Sequence, residues 1–210
     1  MTTLILARHG ETKWNVAEVF RGRADIELNE TGTRQAELLA EYLSDFRIEA
    51  IYSSPLKRAL KTAEIIARSH KTAVEIAPGL IDFDYGEWQG LAHEQVKARY
   101  RELYAEWLQH PERVKMPGGE SLPDVRERAA AVVNSLISRH KGTVLLVSHR
   151  VVNKVLICAL LGLDNSHFWN IRLDTAAITT FVYEGDRFSL TEHNNSCYLK
   201  PLGKAQLRDF

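Results

Sequence analysis

The sequence predicts an α/β fold, a three-layer α/β/α sandwich built on a mostly parallel sheet, with an antiparallel edge strand and a helical lid insertion. Three observations carry that expectation. Continuous apolar runs at residues 3–7, 50–53 and 143–147 read as strands buried on both faces, since a half-exposed strand would alternate. Helical patterns lie between those runs, and alternation of strand and helix implies parallel strands covered by helices. Residues 177–184 and 187–191, separated by Gly185-Asp186, read as a hairpin instead, which places antiparallel pairing at an edge of the sheet.

Each helix has its own signal. Over residues 31–45, Leu38, Leu39, Tyr42 and Leu43 recur on one face. The pattern at 55–69 starts with Ser54 as N-cap and Pro55 at the first helical position, where proline is favoured. The pattern at 122–140 starts at Ser121, with Asp124 placed to complete a capping box. Residues 82–120 break the alternation. They are rich in charged and aromatic side chains, Trp88, Tyr100, Tyr104 and Trp107 among them, and close on Met116-Pro117-Gly118-Gly119, which suggests a lid over the core. No internal repeat or low-complexity linker divides the 210 residues, so a single domain over 1–210 is expected.

Bulk properties narrow the function. Lys plus Arg and Asp plus Glu both number 27, so the chain as a whole has no electrostatic case for nucleic acid or a membrane surface as partner. Any anion site must be local. Cys158 and Cys197 are the two cysteines and form no close pair, which fits a reduced compartment. Met1-Thr2-Thr3 starts no basic segment leading into an apolar core, and no apolar run approaches the roughly 18 residues of a membrane span. A cytoplasmic protein is expected.

The chemistry gathers where strands end. In open α/β sheets ligands bind beyond the carboxyl ends of the strands. The first strand delivers Arg8 and His9 there, and the third delivers Ser148, His149 and Arg150. The second leads through Ser54-Pro55 into a helix whose first turn carries Arg58, and free N–H groups at that end add to the attraction of a guanidinium for phosphate. The loop after the first strand supplies Asn15, Arg21 and Arg23. Taken singly, a strand-end histidine is more often structural than catalytic. Three strand ends that each bring a histidine or an arginine are a different matter. Two imidazoles among guanidiniums suit phosphoryl transfer, one histidine attacking phosphorus and the other donating to an oxygen. The leaving oxygen then needs an acid, and Asp82, Asp84 and Glu87 all stand as candidates in the cluster Asp82-Phe83-Asp84-Tyr85-Gly86-Glu87-Trp88. His70, His140, His167 and His193 read as structural, whereas His93 and His110 flank the lid. No histidine shows metal-ligand spacing, so neither a metal nor a cofactor is expected.

The segments ARHGETKWN (7–15), RGRADIELNETGTRQA (21–36), IYSSPLKRALKTAEIIA (51–67), DFDYGEWQGL (82–91), PGGES (117–121) and VLLVSHRVVNKVL (144–156) together resemble the histidine phosphatase superfamily, the clan of cofactor-dependent phosphoglycerate mutases and their phosphatase relatives. The resemblance implies His9 as the nucleophile that becomes phosphohistidine, and Arg8, Arg58 and His149 as the phosphate pocket. Asn15, Arg21 and Gly22 match the stretch that contacts substrate. Asp82 stands where the family usually has a glutamate acid, and an aspartate reaches about 1.5 Å less far. Arg150 departs from the small residue that many relatives have after the second histidine, and it either adds charge to the pocket or narrows it.

No counterpart of the longer mutases' basic insertion is found, which favours a phosphatase branch. The expected function is therefore a metal-independent phosphomonoesterase for a small phosphorylated metabolite. A phosphoglycerate mutase is the first alternative, and a phosphate-ester binding or regulatory protein the second. A homodimer through a hairpin edge such as residues 178–183 is also considered.

Overall fold

The computed structural model describes residues 1–203. Its centre is β1 (Thr2–Arg8), in which five consecutive residues are buried, as befits a strand covered on both faces. After the short α1 (Lys13–Val16) and a loop comes α2 (Glu30–Leu43), capped by Asn29 Oδ1 on the Gly32 amide at 2.7 Å. Then follow β2 (Ile48–Ser53), α3 (Lys57–His70), β3 (Val74–Ile76), the paired α4 (His93–Arg99) and α5 (Arg101–Gln109), α6 (Leu122–Arg139), β4 (Thr143–Ser148), α7 (Arg150–Leu160), and the hairpin of β5 (Ile178–Glu184) and β6 (Arg187–Asn195). Among the described residues the sheet runs β3-β2-β4-β1-β5-β6, with β1 to β4 parallel and β5 and β6 antiparallel.

Two apolar cores flank the sheet. On one face Ile5, Ala7, Ile51, Leu145 and Val147 pack against Leu39 and Leu43 of α2 and Ala63 and Ile66 of α3. On the other, Leu4, Leu6, Val144 and Leu146 meet Val125 and Val133 of α6 and Val155 of α7. Phe83, Trp88 and Trp107 belong to this second core and are essentially unexposed. The aromatics of the 82–120 stretch therefore anchor it to the body of the protein, each large ring being worth about 3–5 kcal/mol against truncation to alanine.

Several sequence expectations change in detail. Ser54 and Pro55 precede α3 rather than begin it: Leu56 is the N-cap and makes no side-chain cap bond. Arg58 still lies in the first turn. The cap at Ser121 forms as expected, with Ser121 Oγ accepting from the Asp124 amide and the Asp124 carboxylate returning to the Ser121 amide at 2.8 Å. The hairpin turn puts Gly185 and Asp186 at φ 56° and 60°, the double left-handed turn that suits strand twist. However, β5 is enclosed between β1 and β6, so residues 178–183 are no free edge, and the outer strand is β6. Among the described residues no helix is long and apolar enough to cross a membrane.

Candidate active site

Parallel pairing of β1 with β4 in register, Leu6 beside Leu146 and Arg8 beside Ser148, brings the residues after each strand out together. The His9 amide donates to Ser148 O at 3.0 Å, and the His9 and His149 rings have centroids 5.2 Å apart. His9 is 1% exposed and its Nδ1 lies 2.6 Å from Gly10 O. A carbonyl only accepts, so Nδ1 carries the hydrogen and Nε2 holds the lone pair of the neutral ring. Burial, and after it the positive field of Arg58, His149, Arg8 and Arg21, pushes His9 well below the ordinary histidine value and keeps it neutral.

His149 moves the same way, first through burial and then through Arg58 and Arg128. Its Nε2 sits 2.7 Å from Ser54 Oγ, which explains what the Ser-Pro element does if not capping: it fixes the ring. The other nitrogen, Nδ1, is buried without a hydrogen-bond partner among the described residues, with Asp82 Oδ2 3.5 Å away.

Arg58 is held from three sides. Nη1 donates to Ala24 O at 2.7 Å, and Nη2 donates to Gly22 O and to Asp82 Oδ2, both at 2.8 Å. Gly22 is there for its carbonyl: φ is +50°, and a Cβ would stand 2.7 Å from Gln89 Oε1 and 3.1 Å from Phe83 O. Arg8 is fully buried, and its Nη1 donates to Leu173 O at 2.7 Å. Burial and the nearby Arg150 bring Arg21 down to about 10. Arg8, Arg21, Arg58 and Arg150 thus surround a site whose own carboxylate is Asp82, and such a field has room for a dianion.

The three acid candidates separate clearly. Asp82 is 5% exposed and lies between Arg58 and His149, with Oδ1 accepting from the Phe83 amide at 2.8 Å. Asp84 instead accepts from the Gly86 amide at 2.9 Å and faces Arg23, while Glu87 takes the Tyr100 hydroxyl at 2.8 Å on the surface. Arg23, bound to Asp84 and Glu120, belongs to that outer network. Asn15 is buried, and its Oδ1 accepts from the Thr12 amide at 2.9 Å and from the Thr12 hydroxyl at 2.8 Å.

Two basic residues escaped the sequence reading. Arg128 on α6 donates to Gly79 O at 2.7 Å, Ile81 O at 2.6 Å and Asp82 O at 3.2 Å, and so fastens the segment that carries Asp82. Lys154, one turn after Arg150 on α7, is 5% exposed. Only its place in an apolar helix, among VVNKVLICAL, hinted at burial. Among the described residues no group of three histidine, cysteine or acidic side chains is placed to hold a metal.

The sequence profile of the histidine phosphatase superfamily (branch 1) matches residues 4–196. The chain belongs to the histidine phosphatase superfamily. Phosphoserine phosphatase 1 of Hydrogenobacter thermophilus is 38% identical over 200 residues, covering 95% of each chain. Among solved structures, Bacillus stearothermophilus YhfR superposes with a TM-score of 0.91 at 32% identity, covering 95% of this chain and all of that one. The mycobacterial glucosyl-3-phosphoglycerate phosphatase Rv2419c, in its complex with VO3, gives 0.86 at 30% identity, covering 91% and 98%. This histidine phosphatase is accordingly an enzyme of the phosphatase kind, and the matched residues 4–196 include the ends of β1 and β4 that carry His9 and His149.

Proposed function

We propose that the protein is a metal-independent phosphomonoesterase that turns over small phosphorylated metabolites through a phosphohistidine at His9. The observation that carries this reading is the pair of neutral, buried imidazoles, one presenting the Nε2 lone pair and the other a buried Nδ1 without an acceptor. The relatives named as phosphatases of phosphoserine and of glucosyl-3-phosphoglycerate support the substrate class.

In the proposed first step His9 Nε2 attacks phosphorus, the P–O bond to the ester oxygen breaks, and Asp82 in its acid form gives that oxygen a proton. Arg8, Arg58 and His149 hold the three equatorial oxygens, where charge is stabilised. The arriving dianion draws on Arg58, the partner of Asp82, and so comes to lie beside the carboxyl group that serves it. In the second step Asp82, now a carboxylate, removes a proton from water. The water oxygen bonds to phosphorus, the P–N bond breaks, and inorganic phosphate leaves with His9 neutral again.

The test is hydrolysis of p-nitrophenyl phosphate and alkyl phosphates in EDTA, with His9→Ala alongside the wild type. Hydrolysis that resists the chelator and disappears with His9 is expected. Absence of hydrolysis in the wild type, with phosphoryl exchange on 3-phosphoglycerate once a bisphosphate primer is added, would replace the reading by that of a mutase.

A further inference from the structure

Beside the phosphate pocket lies a second cleft of about 460 Å³, with Tyr104, Trp107, Arg150, Lys154, Trp169 and Asp174 in its wall. Arg150 and His93 also line the small pocket that contains Arg21 and Asp82, so the two spaces adjoin at these side chains. A volume of this size suits a small metabolite.

Its charges are unbalanced. Arg150 and Lys154 stand at i and i+4 on α7 and share a face. They are 6% and 5% exposed, and neither forms an ion pair among the described residues. The Lys154 ammonium lies 4.8 and 4.9 Å from the ring centres of Phe168 and Trp169, and the Arg150 guanidinium 5.8 Å from Trp169. Ring faces attract cations but do not neutralise them. Nε and Nη1 of Arg150 have no hydrogen-bond partner among the described residues. Asp174, the carboxylate in the wall, is already taken by Arg172 Nε at 3.1 Å and Asn194 Nδ2 at 3.0 Å. Burial, and after it Arg150 and Arg8, brings Lys154 down to about 6, and an anion docked against the amine would favour its charged form.

We propose that this cleft receives the leaving group and that Arg150 and Lys154 bind a second anionic group on it. The preferred substrates are then small phosphomonoesters that also bear a carboxylate or a further phosphoryl group. The inference rests on the phosphohistidine reading for the end at which the ester phosphate docks. Arg150 is thereby a specificity residue and not a narrowing of the pocket.

The experiment compares kcat/KM for O-phosphoserine and 3-phosphoglycerate, for fructose 1,6-bisphosphate, and for phosphoethanolamine and glycerol 3-phosphate, which lack the second anion. In the wild type the acid-bearing esters should lead by about tenfold or more, the contribution of a charge-assisted contact. Lys154→Met and Arg150→Gln should each shrink that lead, and the ranking of carboxylates against the bisphosphate names the anion. A wild-type ratio near one, or a ratio unchanged in both variants, overturns the proposal. If neither variant folds, product inhibition of the wild type decides: glycerate should inhibit well below the concentration at which glycerol does, and equal inhibition overturns it. Hydrolysis that survives His9→Ala would sink the phosphohistidine reading, whereas His9-dependent hydrolysis with a flat ratio would sink this one alone.

Discussion

Arg58 Nη2 and Asp82 Oδ2 meet at 2.8 Å as an ion pair buried in the floor of the site. The guanidinium thereby orients the carboxylate, while Nε is left without a partner among the described residues. A single side chain thus couples the proposed acid to the anion that the acid must serve. The coupling explains how an aspartate, shorter than the glutamate usual in the family, is held next to His149.

Asp82→Asn keeps the shape of the acid and removes its transferable proton. Hydrolysis of alkyl phosphates should fall by about 10²–10⁴, the usual weight of a general acid. With p-nitrophenyl phosphate the leaving group needs no proton, so the first turnover should survive as a burst of nitrophenol before a slow steady state. Stopped-flow absorbance reads the burst. Equal losses on both substrates in that first turnover would take Asp82 out of the acid role.

Arg58→Ala strands a buried carboxylate. Removing one partner of a buried pair costs about 3–5 kcal/mol, so unfolding by denaturant should begin at clearly lower concentration. Adding Asp82→Asn to Arg58→Ala should restore part of that loss, because the stranded charge goes with it. Stabilities that simply add would mean that the pair is not coupled.

Much of this arrangement can be read from the chain because strand ends fix position. Arg8-His9 and His149 follow continuous apolar runs, and adjacent parallel strands in register leave them no choice but to meet. What could not be read depends on contacts distant in sequence. Asp82, Asp84 and Glu87 differ in sequence by little, and it is Arg58, 24 residues away, that distinguishes the first. β3 has only Val74–Ile76, with half-exposed and exposed residues, so it has no apolar run to announce it. Ser54 looked like a cap because Ser-Pro is a helix-start signal, yet its hydroxyl serves His149 across 95 residues. Lys154 has no local signal beyond the apolar residues around it, and its neighbours Phe168 and Trp169 come from a separate 3₁₀ segment.

Arg128 is a positioning residue. Its guanidinium bonds three backbone carbonyls at Gly79, Ile81 and Asp82, and two oxygens of Glu120 at 2.9 and 3.0 Å. Arg128→Met should lower kcat on alkyl phosphates with little change in KM, because the acid loses its setting while the phosphate pocket stays. Arg128→Lys should not rescue it, since an ammonium cannot span the same fork. Rescue by lysine, or an equal loss on p-nitrophenyl phosphate in the first turnover, would count against a role in placing Asp82.

Acid stability tests the electrostatics of the whole site. His9 and His149 are both held well below the ordinary 6.5, and His93 is brought down to about 4, burial being the first cause in each. Between the lowered folded value and the ordinary unfolded value the unfolded chain binds more protons. Their contribution is therefore intact above about 6.5 and is lost as pH falls below it, at about 1.4 kcal/mol per pH unit for each histidine that stays neutral. Lys154, lowered from 10.5 to about 6, acts in a separate window: between those values the unfolded lysine is charged while the folded one is neutral, so stability declines as pH falls from 10.5 to about 6 and then levels. Melting temperatures measured from pH 9 to 4.5 should thus show a shallow slope above pH 6 that Lys154→Met removes. Below pH 6.5 a steeper slope should appear, and His9→Gln or His149→Gln should flatten it. An acid limb of the same steepness in both histidine variants would mean that other groups bind the protons on unfolding, and that the imidazoles are not held neutral by the site.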